Sequence, residues 1–171
     1  MGEIAVTVVG RDRVGTVADV STALAGLGLN LTDSSMTLLR GHFAMTLVCA
    51  GDATAEQVER VLEPVCANGA LTATVSPVSP GAAEPDGDPY TLVVHGADRL
   101  GIVAAVTGAV AASGGNITDL STRLAGDLYV LGAEVDLPRG ADVAALRERL
   151  DAVGRDLSVE ISLRAADADV L

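Results

Sequence analysis

Lysine and tryptophan are both missing from the 171 residues, and one Phe with two Tyr are the whole aromatic complement. Without lysine the chain can build neither a phosphate-binding loop ending in Gly-Lys nor a Schiff base. Eleven arginines face 23 acids, and the net charge of −12 argues against direct nucleic-acid binding, which needs clustered cations. The scarcity of aromatics also removes the stacking platforms that single-stranded RNA requires. The two cysteines, Cys49 and Cys66, form no C-x-x-C, which excludes a metallochaperone motif, and two thiols make no disulfide framework. Neither His42 nor His95 has a second ligand at metal-binding spacing. His42 reads as a solvated hairpin residue and His95 as a partly buried structural one. No apolar run approaches the length needed to cross a bilayer. The opening MGEIAVTVVGRDR carries an acid at position 3 and resembles no signal peptide, while Val6 breaks a myristoylation motif. The expectation is a soluble cytoplasmic protein with no membrane partner, no metal and no cofactor.

Hydrophobic residues make up 49% of the chain, so the core must be aliphatic. The stretch DRVGTVADVSTALAGLGLNLTDSS, from Asp12, returns 86 residues later as DRLGIVAAVTGAVAASGGNITDLS, from Asp98, with 13 of 24 positions identical. So long a period indicates duplication of a whole domain rather than a solenoid. Between the copies lies a Pro/Gly-rich acidic segment that reads as a linker. The boundaries are a first domain at 1–77, a linker at 78–88, a second domain at 89–165 and an acidic tail at 166–171.

Each half parses alike. A β-branched strand (Ile4–Val9, Tyr90–His95) leads to a helix whose apolar face carries Val17, Val20, Leu24 and Leu27, matched by Val103, Val106 and Val110. Two strands then meet at a tight turn, Arg40-Gly41 or Gly126-Asp127. The later strand alternates, placing Phe43, Met45, Leu47 and Cys49 on one side, like Tyr129, Leu131, Ala133 and Val135. A second amphipathic helix follows, then a final strand, at Leu71–Val75 and at Leu157–Leu163. The order β-α-β-β-α-β, twice, is the ferredoxin-like split βαβ motif: an α+β fold with helices on one face of each antiparallel sheet. Its second strand lies at an edge. Here that strand is long and sparsely charged, which invites pairing with another strand, in the same chain or across a homodimer.

The polar ends of the repeat need their own reason. Asp12 and Asp98 stand where a helix N-cap is wanted. Gly15 and Gly101 then fall in the first helical turn, a costly place for glycine. They admit a carboxylate or another backbone to the helix N-terminus, or they let the helix pack closely on its own sheet. Asn30 and Asn116 open the second strand, either as turn residues or as donor–acceptor groups suited to a free amino acid. Asp33 and Asp119 recur on the edge strand, lining a site or merely solvated.

Asp-Arg-x-Gly before an amphipathic helix, then Gly-x-Asn opening a strand, resembles the ACT domain. Two copies and nothing else resemble stand-alone tandem ACT regulators, and the likeness spans nearly the whole chain. Many ACT domains have Pro between the Arg and the Gly, where this chain has Val14 and Leu100. The resemblance implies non-catalytic modules that bind amino acids between paired copies. The implied ligand-binding residues are Asp12, Arg13, Val14, Gly15 and Asn30, and Asp98, Arg99, Leu100, Gly101 and Asn116. Glycine or serine is the favoured ligand, its carboxylate at Val14-Gly15 or Leu100-Gly101 and its ammonium at Asn30 or Asn116. Arg13 and Arg99 add charge to the carboxylate. A protein partner in amino-acid metabolism or its transcriptional control is expected as well.

Two other functions fit the fold. Acylphosphatases use an Arg in the first loop and an Asn on the second strand, which Arg13 and Asn30 superficially supply. Such enzymes want a glycine-rich anion loop running into the Arg, whereas here the acidic Asp12 precedes it. The second is a pure interaction module that offers its edges to a protein and binds no ligand.

Overall fold

The computed structural model describes residues 2–67, 69–78 and 87–166. The chain forms two compact units, Met1–Ala83 and Glu84–Leu171. The first contains β1 (Gly2–Arg11), α1 (Thr16–Ala25), β2 (Asn30–Leu39), β3 (His42–Gly51), α2 (Ala55–Cys66) and β4 (Leu71–Val78). The second repeats the series as β5 (Gly87–Ala97), α3 (Ile102–Ala111), β6 (Asn116–Ala125), β7 (Leu128–Pro138), α4 (Val143–Leu157) and β8 (Val159–Ala165). The sheets are antiparallel, in the orders β2-β3-β1-β4 and β6-β7-β5-β8. This is the expected ferredoxin-like βαββαβ arrangement, formed twice, with the second strand of each unit at an edge. Three residues of the expected linker belong to strands: β4 includes Val78, and β5 takes in Gly87 and Asp88. The rest of that linker, and the tail after Ala166, lie outside the described residues.

Alternation decides which side chains meet. Val6 and Val8 of β1 and Phe43, Leu47 and Cys49 of β3 are fully buried against Val20, Leu24, Val58 and Leu62 of the helices. The second core repeats the plan with Leu92, Val94, Leu131, Val135, Val106, Val110, Leu146 and Leu150. Burial raises the pKa of the Cys49 thiol by disfavouring its charged form. Helix α2 opens with a capping box: the Thr54 hydroxyl accepts from the Gln57 N–H and the Gln57 side chain accepts from the Thr54 N–H.

Two sequence expectations change here. Val17 and Val103, expected on the apolar helix face, are 41% and 38% exposed, and the buried places go to Thr16 and Ile102 one residue earlier. Leu157, expected to start the last strand, closes α4 instead. Ser158 takes a left-handed φ of 55° and turns the chain into β8.

The β2–β3 turn is a two-residue hairpin in which Arg40 and Gly41 both have positive φ, 51° and 83°, as a type I′ turn requires. Both edge strands carry a β-bulge early on: the pairing with the neighbouring strand shifts between Leu31 and Asp33, and again between Ile117 and Asp119. The Thr32 hydroxyl donates to the Val48 carbonyl at this break (3.1 Å). Helix α2 lies against β4 and α1 against α2, and most of β2 is exposed, with Leu31 near its start packed on the core. Met36, Leu38 and Leu39 are about half exposed, at 48%, 48% and 47%.

Candidate functional site

The Asp-Arg-x-Gly segment leaves β1 at the end where the β2–β3 hairpin turns, and the Asp12 N–H donates to the Gly41 carbonyl (3.3 Å). Helix α1 begins at Thr16, and its N-cap is Gly15 with φ 89° and ψ 0°; Gly101 repeats this at 91° and 2° before α3. Neither helix start has a side-chain cap. Asp12 and Asp98 are therefore not the caps that their positions suggest, because the helix starts four residues further on.

The glycines also receive a different reason. They sit just outside the helix, in the left-handed region that residues with a Cβ avoid. A Cβ placed on either meets no atom within 4 Å, so tight packing on the sheet does not require them. In α1 the Thr16 N–H turns back to the Arg13 carbonyl (3.3 Å), and no side chain caps the N–H groups that follow or those opening α3. Uncapped N–H groups carrying the positive end of the helix dipole are a place where an anion is stabilised. Between Arg and Gly, Val14 and Leu100 project fully into solvent, each 100% exposed. In the second unit the segment Asp98–Ala104 and Tyr129 line a shallow depression of about 550 Å³.

The two halves of the motif do not meet within one unit. Asn30 pairs opposite Ala50, while Arg11 and Leu39 pair opposite His42 at the other end of the sheet. The ten residues of α1 separate Gly15 from Asn30 by about 15 Å. The second unit is built alike: Asn116 lines a depression of about 520 Å³ along α3 and the start of β6, which shares only Ala104 with the depression at the Asp98 segment. The expected shared site of Asn and helix N-terminus is thus absent from a single unit. Asp33 and Asp119 lie on the sheet face away from the helices, opposite Val48 and Glu134.

Sequence reading missed several residues around the loops. Thr16, only 2% exposed, donates its hydroxyl to the Arg13 carbonyl (2.9 Å). Asp19 pairs with the Arg13 guanidinium (2.7 Å). Both were visible as differences between the copies, since Ile102 and Ala105 stand at the matching positions. The His95 side chain is half exposed, and its Nε2 pairs with Glu160 (2.9 Å). Another depression, of about 470 Å³, follows α2 and is lined by Glu56, Glu59, Glu63 and Cys66. Among the described residues no cluster of three or more His, Cys, Asp or Glu is arranged to hold a metal, and none of the helices is long and apolar enough to cross a membrane.

A model of the ACT domain matches residues 3–76 and, separately, residues 91–164. The chain belongs to the ACT-domain family. Its two ACT domains coincide with the two βαββαβ units. Among curated relatives, a UPF0237 protein of Methanosarcina mazei is 32% identical over 80 residues, covering 46% of this chain and 87% of that protein. A UPF0237 protein of Streptococcus pneumoniae serotype 4 is 35% identical over 75 residues, 44% of this chain and 85% of that one. These relatives match one ACT domain at a time. Among solved structures, an unknown protein from Galdieria sulphuraria is 31% identical with a TM-score of 0.81, over 97% of this chain and 99% of that one. A candidate glycine cleavage system transcriptional repressor aligns over 97% and 98% with a TM-score of 0.74 at 22% identity; that likeness is one of fold.

Proposed function

We propose that the chain is a non-catalytic regulatory protein of the cytoplasm. It senses a small amino acid, glycine or serine, through its ACT domains and passes that state to a protein partner in amino-acid metabolism or its transcriptional control. The observation that carries this reading is the uncapped, glycine-opened helix start, formed identically before α1 and α3. It offers backbone N–H groups to a carboxylate, with Arg13 or Arg99 beside it. The candidate glycine cleavage repressor of the same fold points toward the same metabolic setting.

The Asn residues join the site when a second edge strand lies antiparallel along β2 or β6. Such a strand, from a second copy of the chain, brings its hairpin end and its glycine loop beside the Asn30 or Asn116 end of the first. The ligand is then held between copies, its carboxylate at the Gly15 or Gly101 loop and its ammonium at the Asn side chain. A homodimer is one assembly that supplies such a strand.

A thermal-shift screen of the twenty amino acids on the full chain tests it. A ligand at 100 times its dissociation constant stabilises by about 2.7 kcal/mol, a rise of about 5–11 °C for a chain of this size. Glycine or serine should give the largest shift. No shift with any amino acid refutes ligand sensing. The second reading, a pure protein-interaction module, then takes its place. The fully exposed Val14 and Leu100, with Leu38, Leu39 and Leu124 half exposed along the edges, favour it.

A further inference from the structure

The duplicated loops have the same backbone and unequal chemistry. In the first unit Arg13 is held on three sides. Asp19, one turn into α1, takes its guanidinium at 2.7 Å; its own Nη1 reaches the Val14 carbonyl at 3.4 Å; and Thr16 bonds its carbonyl at 2.9 Å. In the second unit Ala105 replaces Asp19 and Ile102 replaces Thr16, so both ties are chemically impossible. Arg99 is exposed, and among the described residues it makes no ion pair or hydrogen bond. A third difference accompanies these two. Phe43 is fully buried, whereas its counterpart Tyr129 carries a hydroxyl and lines the depression formed by Asp98–Ala104.

From these differences we propose that the two loops are inequivalent: the Arg13 guanidinium of the first is taken by the chain's own carboxylate, Asp19, and the second loop alone, with Arg99 unpaired among the described residues, accepts an external one. Arg99 and the helix start after Gly101 receive the ligand carboxylate, with Tyr129 on the wall of the same depression. Asp19 is an internal substitute that holds Arg13 in the posture a bound carboxylate would impose. The inference rests on the amino-acid reading given above and adds to it a stoichiometry and a specificity switch at one position, Asp19 against Ala105. A duplicated sensor built this way has one responsive loop and one loop fixed in its liganded posture.

Two measurements on the full chain test the proposal separately from the reading beneath it. The first needs no ligand: limiting phenylglyoxal is applied and the modification of Arg13 and Arg99 is followed by mass spectrometry. Arg99 should react faster, by up to about five-fold for a half-exposed ion pair, and Asp19→Ala should raise Arg13 toward the rate of Arg99. Unchanged reactivity of Arg13 in Asp19→Ala overturns the inequality. The second is calorimetric titration with glycine, then serine. One site per chain is expected, abolished by Arg99→Gln, preserved in Arg13→Gln, and raised to two by Asp19→Ala. Two sites in the wild-type chain, or loss of binding on Arg13→Gln alone, overturns the proposal. Ala105→Asp, which gives the second loop its own carboxylate, should abolish that site as well; if this variant unfolds the second unit, Arg99→Gln carries that arm by itself. Absence of binding by both amino acids, with the reactivity difference intact, removes the amino-acid reading and leaves the inequality standing.

Discussion

Replacing Gly15 separates three reasons for a glycine at a helix start. Its φ of 89° costs a residue with a Cβ about 1–2 kcal/mol, and a Cβ there touches nothing within 4 Å, so no steric cost is added. Gly15→Ala should therefore lower the stability of the first unit by about 1–2 kcal/mol, and Gly101→Ala that of the second by the same amount. For domains of this size that is about 4–8 °C of melting temperature per kcal/mol. The effects should add in the double variant, because the two positions share no partners. Asn tolerates the left-handed region better than other residues with a Cβ, so Gly15→Asn should recover part of the loss. Urea denaturation of the full chain, followed by far-UV circular dichroism, measures each change, and unchanged m-values keep the comparison valid. If Ala is neutral, or Asn costs as much as Ala, the backbone conformation is not what the glycine serves. A loss graded by side-chain size, from Ala to Val to Leu, would point instead to close approach within the unit.

Further outcomes follow from the cores and caps. Phe43→Ala empties the centre of the first core and should cost about 3–5 kcal/mol, whereas Tyr129→Phe removes a hydroxyl with no partner among the described residues and should stay within about 0.5 kcal/mol. Thr54→Ala breaks the α2 capping box at a cost of about 1 kcal/mol, readable in the same urea titration. Cys66 should react with a thiol reagent in the native protein while the buried Cys49 reacts only on unfolding. Burial raises the Cys49 pKa above its ordinary 9.0, so the folded state favours the neutral thiol. Its contribution to stability is intact at pH values below 9.0 and is lost as the pH rises through the folded value. Cys49→Ala should flatten that alkaline loss of stability; an unchanged alkaline profile would show that another group sets it.

The repeat made the fold readable because duplicated patterning states each element twice. Phe43, Met45, Leu47 and Cys49 alternate in sequence and are all buried in the structure, since a strand's period of two leaves no freedom once one face meets helices. Helix starts were harder. A glycine with positive φ reads in sequence as a weak helical residue, so α1 appeared to begin at Asp12, and the apolar face was placed one position late, on Val17 instead of Thr16. The separation of Asn30 from Gly15 was hidden for another reason. Neighbours along the chain sit at opposite ends of a helix, and only the pairing of Asn30 with Ala50 and of Arg11 with His42 reveals the distance. The ion pair of Arg13 with Asp19 was legible only in what the repeat failed to keep. Identity between the copies marks the fold, and the mismatches mark where their chemistry parts.

The bulge at Thr32 sets a length. By absorbing one residue it keeps Met36 and Leu38 in step with Met45 and Phe43 and turns Asp33 to the opposite face beside Val48. Regular backbone spacing along that edge therefore starts at Asp33 and stops at Leu39, a ruler of about 23 Å. Asn30 and Leu31 lie beyond it, out of phase with the rest of the strand. A chain laid along this edge can zip over those seven positions and must then part from it, leaving Asn30 clear of the ladder with its side-chain amide uncommitted. Deleting Thr32 would extend the ruler through Asn30 without moving any later residue from its face. The edge would become a longer and stickier surface, and the one polar group at its mouth would be drawn into the weave.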